Sequence, residues 1–88
     1  MGSQKTLELI RGLAAAGRIR LSWHAEFESM VERNVGWRDV RKALTNAHSC
    51  RVEDAEKSKW RVKGPDMDGD DLALVVIVED GLLVVTVF

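Results

Sequence analysis

Two apolar runs set three residues apart constrain the fold of this chain more than any other feature. Leu72-Ala73-Leu74-Val75-Val76-Ile77-Val78 and Leu82-Leu83-Val84-Val85-Thr86-Val87-Phe88 flank Glu79-Asp80-Gly81. Runs of this length, rich in β-branched residues and joined by a short Gly-containing link, predict an antiparallel hairpin. Their near-continuous apolarity suits central strands. Upstream, Trp60-Arg61-Val62-Lys63 alternates and precedes the turn-rich stretch Gly64 to Asp71, which predicts a third strand. It sets Trp60 and Val62 on one face, Arg61 and Lys63 on the other. Ser49 to Glu53 reads as a fourth strand with Cys50 and Val52 inward. Thr86 is the one polar side chain in the closing run, and strict alternation puts it on the side of Leu82, Val84 and Phe88.

The first half has a different period. Leu7, Ile10, Leu13 and Ala14 form a helical stripe over about Gln4 to Ala16, with Ser3 as a cap and Gly17 suited to the left-handed position that ends a helix. Arg18 to Ser22 alternates as a short edge strand or an extended link. Ser22 can cap a second helix, about Trp23 to Asn34, whose inward stripe on a regular helix is Phe27, Met30, Val31 and Asn34. A third helix, about Trp37 to Asn46, sets Trp37, Val40 and Leu44 on one side and Arg38, Arg41 and Lys42 on the other. Helices followed by a meander make an α+β domain. The expectation is two or three N-terminal helices on one face of a roughly four-stranded antiparallel sheet, all within one domain spanning residues 1–88.

At 88 residues and 45% hydrophobic content, the chain suits one folded core. The longest apolar run falls far short of a membrane span. The N-terminus lacks the apolar core of an export signal, and a single Cys50 fits a reducing, cytoplasmic setting. One Cys and two His argue against a structural zinc site, and no cofactor motif is present. Asp66 to Asp71 is acidic but departs from a calcium loop, because Gly69 stands fourth rather than sixth, so a solvated hairpin turn is expected. All 13 Lys and Arg lie before residue 64, so a phosphate-binding face has to be built from the first two thirds.

Within that part, His24 in the first turn of the second helix can act as an acid or base near neutral pH. Arg33 and Arg61 offer planar guanidinium forks that match phosphate oxygens, with Lys63 beside Arg61. Thr86 can hydrogen-bond a phosphate oxygen. Trp60 is a candidate stacking surface for a base.

The elements Leu21-Ser22-Trp23-His24-Ala25, Glu32-Arg33-Asn34-Val35, Asp39-Val40, Ala43-Leu44, Trp60-Arg61-Val62-Lys63-Gly64 and Val84-Val85-Thr86-Val87-Phe88 occur in the order of a small bacterial domain family of unknown function, which the chain resembles from Arg18 onward. That family looks related to the barnase–EndoU–colicin–RelE group of ribonuclease toxins, whose members are often encoded beside a zinc-finger, helix-turn-helix antitoxin of the MqsA type. The resemblance implies a toxin-like endoribonuclease acting on RNA without a metal and held inactive by a protein partner. Matched position by position, its polar signature falls on His24, Arg33, Arg61 and Thr86. A protein- or RNA-binding module without catalysis is the alternative. In the family His and Arg stand eight apart; here they stand nine apart, roughly 180° on a regular helix. The second helix therefore begins after His24, or carries an extra-residue bulge, or keeps the two residues apart. Asn34 replaces the usual Gly and tolerates the same left-handed backbone.

Overall fold

The fold follows from a computed structural model, which describes residues 2–88. Helix α1 (Gly2–Ala15) starts before Ser3, so Ser3 lies inside the helix rather than capping it. Leu7, Ile10 and Ala14 are buried and Leu13 packs beside them, as the stripe requires. The helix ends where Gly17 turns left-handed at φ +79°. There Arg18 N–H reaches Leu13 O and Gly17 N–H reaches Ala14 O, the paired bonds that satisfy a helix's last carbonyls.

Strand β1 (Ile19–Leu21) follows, then a helix over residues 23–33 whose middle is a five-residue π segment (Ala25–Ser29) leading into α2 (Met30–Arg33). Ser22 caps it by accepting the Ala25 N–H at 3.0 Å. Asn34 ends it in the left-handed region (φ 55°, ψ 44°), with Val35 N–H on Met30 O and Asn34 N–H on Val31 O. Helix α3 (Trp37–Thr45) buries Val40, Ala43 and Leu44, whereas Trp37, expected beside them, stands exposed at the helix start. Its start is held by Asp39, whose carboxylate accepts the N–H groups of Gly36 (3.0 Å) and Met67 (2.9 Å).

Strands β2 (Ser49–Asp54), β3 (Lys59–Pro65), β4 (Asp71–Val78) and β5 (Leu82–Val87) form the expected antiparallel meander. The sheet has five strands rather than four, in the order β1-β5-β4-β3-β2, because β1 pairs in parallel with the start of β5. Three helical elements pack on this mostly antiparallel sheet, an α+β architecture. The core lies between α1, α3 and the sheet face carrying Val62, Leu72, Leu74, Val76, Leu82 and Val84. Each of these side chains stabilises the fold by about 1.5–3 kcal/mol on burial. The closest approach of the layers is at Gly64, where a Cβ would stand 2.0 Å from the carbonyl oxygen of Ala43.

Two register irregularities revise the sequence expectations. Leu74, Val76 and Val84 face the core, but β4 and β5 lose phase between Val75 and Val76: Val76 pairs with Val84, whereas Val75 pairs with Thr86. Val85 is thus an extra residue in β5, a β-bulge. Beyond it Thr86 stands on the side opposite Leu82 and Val84, and only Phe88 keeps its expected company. The second irregularity is the π segment. It turns Phe27, Val31 and Asn34, expected inward, out to solvent, keeps Met30 buried as expected, and buries Ala25 and Ser29 beside it.

The Asp66–Asp70 turn is tied to α3 by the Met67–Asp39 bond and is otherwise closed by its own groups. Asp66 Oδ1 accepts the N–H groups of Asp68 and Asp70, each at 2.9 Å, and Gly69 is left-handed at φ +88°. No group of side chains suited to hold a metal ion occurs among the described residues. Nor is any described helix long and apolar enough to cross a membrane.

Candidate functional site

Strand β1 is three residues long and pairs only with the first half of β5. The outer edge of β5 from Val85 onward would expose unpaired backbone groups, a costly state for a central apolar strand. Two serines on the neighbouring helix satisfy them. Ser22 Oγ donates to Val85 O at 3.1 Å, and Ser29 Oγ accepts the Val87 N–H at 3.1 Å. The helix is thereby bound along the strand edge, with Thr86 between the two anchored residues.

This clamp brings His24 to Thr86. The His24 Nε2 lies 3.4 Å from Thr86 Oγ1, a long contact. On the other side of the ring, Nδ1 lies 2.6 Å from Glu28 Oε1. A carboxylate can only accept, so Nδ1 carries the proton and donates to Glu28. In the neutral ring Nε2 is then an acceptor facing the open side of the sheet; in the charged ring it is a donor. Glu28 was not singled out from the sequence. The signal was present: His24 and Glu28 are four residues apart on a helix.

Arg61 lies on the same sheet face. Cross-strand pairing runs Arg51, Arg61, Val75, Thr86 in one row across β2, β3, β4 and β5, so Arg61 and Thr86 are two strand spacings apart, about 10 Å. The Arg61 guanidinium sits 4.2 Å over the Phe88 ring centre. It also faces Glu53 at 3.9 Å, at the outer limit of an ion pair. Lys63 is exposed on this face, and Ser49, Arg51, Arg61 and Lys63 border an open groove of about 300 Å³ beside β2. Phe88 is the second residue the sequence reading missed, since nothing local connects it with Arg61.

Two expected members lie elsewhere. Trp60 packs against the core on the helix side, so it presents no face to a base beside Arg61; Phe88 is the aromatic ring on that side. Arg33 is exposed in the last turn of α2, and no hydrogen bond or ion pair joins it to His24, Thr86 or Arg61 among the described residues. The π segment cuts the angle between His24 and Arg33 from about 180° to about a quarter turn. The bulge allowed for in the sequence is therefore present, and it narrows the separation without closing it.

The site thus consists of an imidazole oriented by a carboxylate, a hydroxyl beside it, and a guanidinium resting on an aromatic ring across one strand. Such a set can exchange a proton and bind an anion. Comparison with protein-family models, with curated proteins and with solved structures finds no match for this chain.

Proposed function

We propose that this protein is a toxin-like endoribonuclease of a bacterial toxin–antitoxin pair. The reading rests on one observation above the others: His24, held at Nδ1 by Glu28, aims Nε2 at Thr86 on the sheet face that carries Arg61. RNA cleavage by its own 2′-hydroxyl needs a base, an acid and positive charge near the crowded phosphorus. His24 Nε2 takes the 2′-hydroxyl proton as the 2′-oxygen attacks the phosphorus. Arg61 and Lys63 balance the negative charge on the phosphorane oxygens, and Thr86 donates to one of them. The bond to the 5′-oxygen breaks, leaving a cyclic phosphate and a 5′-hydroxyl. The departing oxygen lies in line with the attack, on the far side from His24, and takes its proton from solvent water. Phe88 offers its ring to a neighbouring base. Arg33 contributes long-range positive charge. The cytoplasm is the setting, and the partner is a cognate antitoxin of the zinc-finger, helix-turn-helix kind.

The openness of the face supports a second reading, an RNA- or protein-binding module without turnover. One experiment separates the two. Single-stranded RNA incubated with the protein in EDTA yields cyclic-phosphate ends under the first. His24→Ala lowers the rate by roughly 10²–10⁴-fold, Arg61→Ala lowers it as well, and both variants keep the far-ultraviolet circular dichroism of the parent. Cleavage that is unchanged in both variants refutes the assignment. RNA that binds and stays intact identifies the module.

A further inference from the structure

The π segment has a consequence on the outward side of the second helix. Residues four apart nearly superimpose on a helix that is locally wound at more than four residues per turn. Trp23, Phe27 and Val31 consequently form one straight line, opposite the buried Ala25 and Ser29. They are 66%, 56% and 69% exposed, and the Trp23 and Phe27 rings are in contact with centroids 5.6 Å apart. Single exposed apolar residues need no explanation, but three in a row along one helix do. Beside the line, Met30, Val31 and Val35 help to form a groove of about 350 Å³ against the start of α3. Sequence spacing had placed Phe27 and Val31 in the core; their apolarity is therefore not accounted for by folding.

The charges around the line identify what covers it. Glu26 flanks it on one side, Glu28 and Glu32 on the other. Glu26 and Glu32 have no ion-pair partner among the described residues. Arg33 is about 200° round the helix from Val31 and faces away. A second copy of the chain docked by the same stripe would bring these glutamates against their own counterparts, which is repulsive. We infer that the Trp23–Phe27–Val31 stripe docks an amphipathic helix of another protein whose apolar face is bordered by Lys or Arg. The recognition mode is a helix laid along an apolar strip, with anchors at i, i+4 and i+8 matched by apolar positions on the partner. The patch is small, so a single helix binds in about the micromolar range. The inference does not depend on RNA being the ligand of the sheet face.

The test uses the full chain and two synthetic 18-residue helices of identical leucine pattern, one with lysine and one with glutamate on its polar face. The expected result is that the lysine peptide binds, shifting backbone amide NMR signals of residues 23–35, while the glutamate peptide does not. Phe27→Ser then weakens binding by about ten-fold or more, as does the pair Glu26→Gln with Glu32→Gln. All are surface changes, and circular dichroism verifies that the fold is kept. Absence of binding by both peptides overturns the inference. Equal binding of both overturns the cationic partner. Concentration-dependent dimerisation abolished by Phe27→Ser assigns the stripe to a second copy instead. Signal shifts on the stripe with an RNA oligonucleotide, lost in Phe27→Ser, assign it to nucleic acid. Each readout is independent of RNA cleavage, so the stripe and the sheet site stand or fall separately.

Discussion

Ser29 is buried, and its hydroxyl is the acceptor for the Val87 N–H on the one stretch of β5 edge that no strand covers. Ser29→Ala removes that acceptor and leaves too little room for a water to replace it. An amide N–H left buried without a partner costs about 1–3 kcal/mol. Alanine returns about 0.5 kcal/mol because it is the better helix former. The hydroxyl's own bond to Ala25 O is long, at 3.4 Å, and its loss adds little. The expected net destabilisation is about 1–2 kcal/mol, which for a chain of this size lowers the melting temperature by roughly 5–15 °C. Urea unfolding followed by circular dichroism measures the first figure. Hydrogen exchange at the Val87 amide measures its local cause, because that proton should exchange faster by at least the factor expected from the global loss. Glu26→Ala, on the exposed face of the same helix, serves as the control and should change stability by less than about 0.5 kcal/mol. A Ser29→Ala protein as stable as the parent, with Val87 still protected, would show that the helix is held on the strand by something other than this hydroxyl. The clamp argument for bringing His24 to Thr86 would then fail.

Gly64→Ala sets a Cβ 2.0 Å from a backbone carbonyl in α3, so it should destabilise by at least about 3 kcal/mol or prevent soluble expression; denaturant titration, or the soluble fraction, reads this. Asn34→Ala should cost about 1 kcal/mol because φ is +55° there, whereas Asn34→Gly should be close to neutral; thermal melts of the pair decide it. Asp39 is held below the usual carboxylate range by the N–H groups of Gly36 and, next, Met67, with its partial burial opposing them. Its stabilisation is therefore complete above an unfolded-state pKa of about 4 and is lost as the pH falls through the lower folded value. The difference in urea midpoint between the parent and Asp39→Asn should shrink below about pH 4.

Which features were legible in the sequence follows from how local their causes are. The α1 stripe, the left-handed Gly17 and Asn34, the Ser22 cap and the three β-hairpins each depend on residues within a few positions of one another. All are present in the structure. The parallel pairing of β1 was not legible, since Ile19-Arg20-Leu21 reads equally as a link until its distant partner, Leu82 to Val84, is known. The stacking of Arg61 on Phe88 is of the same kind: it arises from registers across three strands. The sheet face of Trp60, by contrast, followed from alternation alone, and the proposal that it stacks on a base beside Arg61 ran against that pattern.

The remaining differences share one cause. An inserted residue does not alter composition or propensity; it alters phase. Along the second helix, one extra residue per turn in Ala25–Ser29 exchanges which side chains face the sheet, taking Phe27 and Val31 out and Ser29 in. Along β5, the extra Val85 moves Thr86 from the core face to the open face. Each shift would be an error of patterning if it occurred alone, because it exposes apolar groups or turns a polar one. They occur side by side, and the two elements are joined by Ser22 and Ser29 on either side of Thr86. Without the bulge, Thr86 would point into the core; without the π segment, Ser29 would miss Val87 and the helix would lose its second attachment to the strand. The contact of His24 with Thr86 needs both irregularities at once. The serine attachments stabilise the fold, but they do not require a hydroxyl at Thr86 or an imidazole set against it. The coincidence of the two irregularities at this one contact is the physical reason for placing the site there rather than in the larger groove of about 440 Å³ beside α3, where Arg38, Arg41 and Lys42 follow regular helical spacing.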